Sequence, residues 1–175
     1  MKTVVIYKSK TGFTKKYAEW IAEDLAADIF DVSQININVL TTYDTIIYGG
    51  SLHAVGINGA KLITQNIKKL KGKKIVVFAT GASPSRKNVI NEITDKNFTK
   101  EQRKYIKFFY LRGGFNYSKL SPFDKFLMTL LKWKIKSKKQ KELTDDEIGM
   151  LAVYDKPVDF TARKNIDEII AYVKS

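Results

Sequence analysis

Apolar positions along this chain follow two periods in turn. Thr3 to Tyr7 (TVVIY) is β-branched and apolar without strict alternation, as a strand buried on both faces reads. Tyr17, Ile21, Ala22 and Leu25 then recur at helical spacing, with Lys15, Lys16, Glu19 and Glu23 on the opposite side. A short strand is expected over Asp28 to Val32, and a third over Thr45 to Gly50, which ends in glycines. Residues 59–70 predict a helix with Leu62, Ile63, Ile67 and Leu70 on one face and Gly72 as its stop. Lys74 to Thr80 (KIVVFAT) reads as a fourth strand that runs into Gly81-Ala82-Ser83-Pro84. Asn88 to Ile93 and Lys100 to Tyr105 predict short helical pieces, and Ile106 to Leu111 (IKFFYL) a fifth strand ending at Gly113-Gly114. The chain closes on a helix over Ala162 to Val173, with Ile166, Ile169, Ile170 and Val173 as its stripe.

Strands separated by helices imply right-handed crossovers, and therefore an α/β fold with a mainly parallel sheet covered on both faces. Ligands of such sheets bind beyond the carboxyl ends of the strands. Three strands here end in small or hydroxyl residues: the loop Ser9 to Thr14, Gly49-Gly50-Ser51, and Thr80-Gly81-Ala82-Ser83. In the first loop, Ser9-Lys10-Thr11-Gly12-Phe13-Thr14, the strand gives way to a helix whose first backbone N–H groups have no helical acceptor. Those donors and the helix dipole favour an anion, typically a phosphate, and the Ser9, Thr11 and Thr14 hydroxyls add to them. The plainer reading is a helix cap by Thr11 or Thr14 that binds nothing.

The 175 residues, 44% hydrophobic, fit one domain over 1–175 with a sizeable core. The chain has no cysteine and only one histidine, His53, which excludes disulfides, thiolate sites and a histidine-rich metal site. No metal is expected, since Asp145-Asp146-Glu147 has no calcium-loop spacing and reads as a helix end. No apolar run reaches the roughly 18 residues of a spanning helix, and the first residues already read as a strand, so a cytoplasmic protein is expected. The net charge of +13 calls for an anionic partner. Lys119 to Lys141 holds eight lysines against one acid, Asp124, around Phe123, Phe126, Leu127, Leu130, Leu131 and Trp133. That composition suits an amphipathic helix on an anionic membrane, at the inner face, or gripping an acidic ligand; it equally suits a helix docked on the sheet with solvated lysines. Nucleic acid is not expected, because the aromatic residues do not form a stacking platform. Arg86 and Lys87, Arg112 and Tyr117 are weaker candidates for a substrate carboxylate.

The first loop, read as Ser/Thr-x-Thr-Gly-x-Thr between strand 1 and helix 1, resembles the phosphate signature of the flavodoxins, and the likeness extends over nearly the whole chain. That resemblance implies a three-layer fold with a five-stranded parallel sheet in the order 2-1-3-4-5, a long insertion around strand 5 (about 115–150), and non-covalent FMN. By the same resemblance Ser9, Lys10, Thr11, Gly12, Phe13 and Thr14 would hold the phosphate. Gly50, Ser51, Leu52, His53 and Ala54 would flank the flavin ring, and Thr80, Gly81, Ala82 and Ser83 would meet its pyrimidine side. His53 would contact the cofactor or face solvent. Within the family, Gly113 to Tyr117, Phe123 to Met128 and Leu130 to Lys132 are similar to the insertion of the flavodoxin-like, quinone-dependent protoporphyrinogen dehydrogenases. This implies an FMN oxidoreductase passing electrons from an organic substrate to quinone at the membrane surface. An electron carrier without a substrate, and a basic adaptor that has lost the flavin, are the other readings. The basic charge departs from acidic carrier flavodoxins, and Trp20 and Trp133 lie outside the flavin loops.

Overall fold

The computed structural model describes residues 2–154 and 156–175, the side chains of 145, 146 and 153 excepted. Strands β1 (Thr3–Lys8), β2 (Asp28–Asp31), β3 (Thr45–His53), β5 (Lys74–Gly81) and β6 (Ile106–Arg112) form a parallel sheet in the order β2-β1-β3-β5-β6. In strand count along the sheet this is the order the resemblance implies. A short strand β4 (Gly56–Ile57) folds back antiparallel on the end of β3, making a hairpin that the hydrophobic pattern does not announce.

The absence of strict alternation in β1 has its cause in the layering. Val4 and Ile6 face one core with Ile46, Tyr48, Ile75 and Val77, covered by α2 (Ile37–Leu40), α3 (Lys61–Thr64) and α4 (Lys87–Asn97). Val5 faces the other with Ile47, Val76 and Phe78, covered by Tyr17 and Ile21 of α1 (Phe13–Leu25) and by a C-terminal helix. Both faces are buried, so both must be apolar. Gly49 lets the sheet close over Phe78: a Cβ there would lie 2.1 Å from the ring's Cζ.

Two expected helices are shorter than their apolar spacing suggests. The helix expected over 59–70 is regular only over α3, after which the bonds tighten: Asn66 N–H donates to Ile63 O and Lys69 N–H to Asn66 O. The Asn66 side chain donates to Leu62 O at 3.0 Å, competing with the backbone ladder at that point. The last helix opens with a 3₁₀ turn over Arg163–Ile166.

The insertion leaves and rejoins the sheet layer through a small antiparallel ribbon. Strand β7 (Gly114–Phe115) pairs with β8 (Val158–Asp159). Between them lie α5 (Pro122–Lys136) and α6 (Asp145–Tyr154), and α7 (Asp167–Lys174) ends the chain. Ser121 accepts from Asp124 N–H at 3.1 Å and Pro122 occupies the first turn, which fixes the start of α5. Thr144 and Glu147 cap α6 reciprocally, Thr144 N–H donating to Oε2 at 3.0 Å and Glu147 N–H to Oγ1 at 3.2 Å. Glu147 thus ends a helix as expected, while the Asp145 and Asp146 side chains lie outside the described residues. No helix among the described residues is long and apolar enough to cross a membrane.

Candidate functional site

The carboxyl ends of β1, β3 and β5 open into one cleft of about 570 Å³. Its walls include Lys10, Thr11 and Phe13 from the first loop, Ser51, Leu52, His53 and Ala54 from the second, and Thr80, Gly81, Ala82 and Ser83 from the third. Four expected site residues stand behind these walls. Gly50 is buried, and a Cβ on it would lie 2.5 Å from Ile57 and 2.7 Å from the Asn58 carbonyl. Ser9 accepts from Gly12 N–H at 3.0 Å, which folds the first loop on itself. Thr14 points inward, its buried hydroxyl 2.6 Å from that of Thr80, where it ties the first loop to the third. Gly12 takes φ 98°, a left-handed turn that glycine adopts without strain.

Helix α1 begins at that turn with no side-chain cap and no acid in its first turn. The first intrahelical donor is Lys16 N–H, to Gly12 O at 3.0 Å. The donor set beside the cleft is therefore backbone N–H groups, hydroxyls and the Lys10 ammonium, a set suited to an anion. Phe13 seats the turn: a Cβ on Gly114 would lie 2.6 Å from its ring.

The second loop is held by a residue that the hydrophobic pattern passes over. Asn97, at the end of α4, accepts from Ile57 N–H at 2.8 Å and donates to Val55 O at 2.7 Å and Ile93 O at 2.8 Å. Ser51 accepts from the Asn58 amide at 2.9 Å, closing the hairpin from inside. The third loop is held from β6: Arg112 Nε donates to Ala82 O at 3.1 Å, and Tyr110 O–H to Ser83 O at 2.7 Å. Arg112 also lies 3.6 Å over the Phe160 ring, so its place is loop support rather than substrate contact. Tyr117 turns away to α5, its hydroxyl 3.1 Å from Thr129. Lys87 begins α4.

The far side of the cleft is apolar. Val89 and Ile93 of α4 stand on one wall, and Leu127, Met128 and Leu131 of α5 on another, with Glu92 among the lining residues. Asp124, in the first turn of α5, is buried (8% exposed) and receives Lys10 Nζ at 2.8 Å, Ser121 Oγ at 2.8 Å and His53 Nε2 at 3.2 Å. The hydrogen bond from Lys10, then that from Ser121, holds its carboxyl below the usual range, against the opposing cost of burial. The sequence marks Asp124 only as the lone acid among lysines. Two of its partners, His53 and Lys10, are 71 and 114 residues away, beyond any local signal. A second depression of about 600 Å³ follows the β6 edge; it includes Arg112 but no residue of the three loops.

Among the described residues no cluster of histidine and acidic side chains could hold a metal ion. A 30% identical match over 100 residues joins the chain to an uncharacterized protein of Methanocaldococcus jannaschii, and covers 55% of this chain and 65% of that relative's length. Solved structures with a similar fold include the Trp repressor binding protein from Bacillus subtilis, at 18% identity and TM-score 0.49 over 66% of this chain and 85% of that one. Another is two-electron reduced Megasphaera elsdenii flavodoxin, at 17% identity and TM-score 0.44 over 63% and 84%. The family model described as "Flavodoxin domain" matches residues 4–143, and with the sheet order above this chain belongs to the flavodoxin domain family.

Proposed function

We propose that the cleft binds FMN, its phosphate at the start of α1 and its ring between the second and third loops. The observation that carries this reading is the uncapped, acid-free start of α1 opening into the cleft that the other two loops share. The donor set fits a phosphate, and Lys10 balances the charge of Asp124 beside it. Gly81 and Ala82 keep side chains short where a flat ring would lie. When bound, the flavin supplies hydride and single-electron chemistry, and the protein supplies position and electrostatics. Backbone N–H groups at the third loop would stabilise a reduced, anionic ring.

The finer reading is an oxidoreductase of the quinone-linked, protoporphyrinogen dehydrogenase type rather than a bare carrier. The apolar walls of α4 and α5 support it, because they extend the cleft beyond what phosphate and ring loops require. Contact with an anionic membrane belongs to the same reading. The outer side of α5 leaves Phe123, Phe126 and Trp133 at least 60% exposed, beside Lys134. This apolar stripe adjoins Leu127 and Leu131, which also line the cleft. An exposed apolar face among lysines matches an anionic bilayer.

The absorption spectrum of the purified protein, followed by titration with FMN, tests the cofactor. Flavin bands and saturable one-to-one binding are expected; a colourless protein that ignores FMN overturns the reading. Anaerobic reduction by protoporphyrinogen IX and reoxidation by menadione tests the enzyme. A stable blue semiquinone with neither half-reaction would assign the carrier role instead.

A further inference from the structure

His53 is the single histidine of the chain and stands on the cleft wall at the end of β3. Its Nε2 lies 3.2 Å from Oδ1 of Asp124. The other oxygen of that carboxylate takes both the Lys10 ammonium and the Ser121 hydroxyl, each at 2.8 Å. An ionised carboxylate can only accept, so the Nε2 that faces it carries a proton. In the neutral ring the lone pair then sits on Nδ1, and no described residue hydrogen-bonds that nitrogen. The side chain is 51% exposed, so a proton taken up in the cleft can pass to water. This is the arrangement by which a fixed carboxylate orients an imidazole as a base.

We propose that His53, oriented by Asp124 of the insertion, is the proton acceptor of the cleft for an organic donor bearing an O–H or N–H hydrogen. The proposal rests on the redox reading above and adds to it a protein group that handles the proton. For a donor whose C–H carbon is joined to an X–H group directly or through conjugated double bonds, where X is oxygen or nitrogen, the C–H bond would break with both electrons passing, as hydride, to the flavin, which is reduced. The X–H bond breaks and its proton forms a bond to Nδ1, its electron pair closes a C=X bond while any intervening double bonds shift toward the carbon that lost hydrogen, and the donor is oxidised by two electrons. Asp124 is a positioning residue in this step. Lys10 and Ser121 keep its charge fixed while the imidazole becomes cationic.

Because the histidine is single, long-range proton–nitrogen correlation spectra of the uniformly ¹⁵N-labelled protein report its tautomer directly. The expected result in the neutral ring is the Nε2–H form, with or without FMN. In Asp124→Asn the amide oxygen takes the place facing Lys10 and Ser121, so its NH₂ faces His53 and the tautomer inverts to Nδ1–H. Addition of 2-naphthol, a redox-inert O–H donor, is expected to move the Nδ1 resonance of the wild type and leave the inverted variant unmoved. Reduction by protoporphyrinogen IX, compared at FMN concentrations that saturate each protein, is expected to slow by about 100-fold or more in His53→Phe. A wild-type ring in the Nδ1–H form, a tautomer indifferent to Asp124→Asn, or an Nδ1 that ignores 2-naphthol overturns the proposal. Should Asp124→Asn not fold, the wild-type tautomer and the 2-naphthol shift decide alone. A wild type that binds no FMN, or is not reduced by this donor, overturns the redox reading instead, while the nitrogen spectra still judge the pair.

Discussion

Replacing Asn97 by alanine isolates what holds the second loop over the cleft. The side chain makes two hydrogen bonds to the β3–β4 hairpin, from Ile57 N–H at 2.8 Å and to Val55 O at 2.7 Å. Truncation leaves one donor and one acceptor without partners at a half-buried site. A fully buried orphan costs about 1–3 kcal/mol, and water recovers part of that here, so the pair is worth about 2–3 kcal/mol. For a chain of 175 residues, where each kcal/mol moves the melting temperature by about 2–4 °C, the expected fall is about 4–12 °C. If the hairpin opens locally before the sheet melts, the loss instead appears as faster amide exchange at Val55 and Ile57. FMN affinity should fall in parallel by about tenfold, since the loop must be reordered on binding. Asn97→Asp retains an acceptor for Ile57 but sets a carboxylate against the Val55 carbonyl, so at pH 7 it should do no better than alanine. A melting temperature within 2 °C of wild type, together with unchanged exchange at 55–57, would refute the clamp.

Gly49→Ala should destabilise by about 1–3 kcal/mol or more, because its Cβ would meet the Phe78 ring. Gly12→Ala meets nothing within 4 Å and should cost only its left-handed φ, about 1–2 kcal/mol; denaturant midpoints that reverse this order would refute the packing argument. Thr11→Asp should weaken FMN binding by about tenfold or more through repulsion at the phosphate, and fluorescence titration showing unchanged affinity would remove the loop assignment. The lowered pKa of Asp124 means that its ion pair stabilises the fold above the unfolded carboxylate's range, and that this contribution is lost as pH falls through the folded value. The stability gap between wild type and Asp124→Asn should therefore be larger at pH 7 than at pH 3, as read by urea unfolding; a constant gap refutes the assignment. On phosphatidylglycerol vesicles Trp133 emission should shift to the blue. Replacing Lys132, Lys134, Lys136, Lys138 and Lys139 by Gln should abolish that shift, and a wild type indifferent to such vesicles at low salt would end the membrane reading.

Local periodicity carried the succession of strands and helices, since burial on one face or two stamps itself on neighbouring residues within a few positions. Val4 to Ile6 therefore announce a doubly covered strand, and Ile166, Ile169 and Val173 announce a helix stripe. The first loop is legible for the same reason: the strand, its glycine and the helix start are contiguous. The clefts and clamps are of another kind. Thr14 reads as a hydroxyl for the first loop, yet 66 residues separate it from the Thr80 hydroxyl that it meets inside. Asn97 looks like an ordinary helix end until the hairpin arrives beneath it, and apolar spacing over 59–70 cannot foresee that Asn66 turns its amide onto Leu62. Asp124 stands 71 residues from His53 and 114 from Lys10. Contacts of that range depend on where the sheet order and the insertion set down each backbone, and no pattern confined to neighbouring residues encodes those positions.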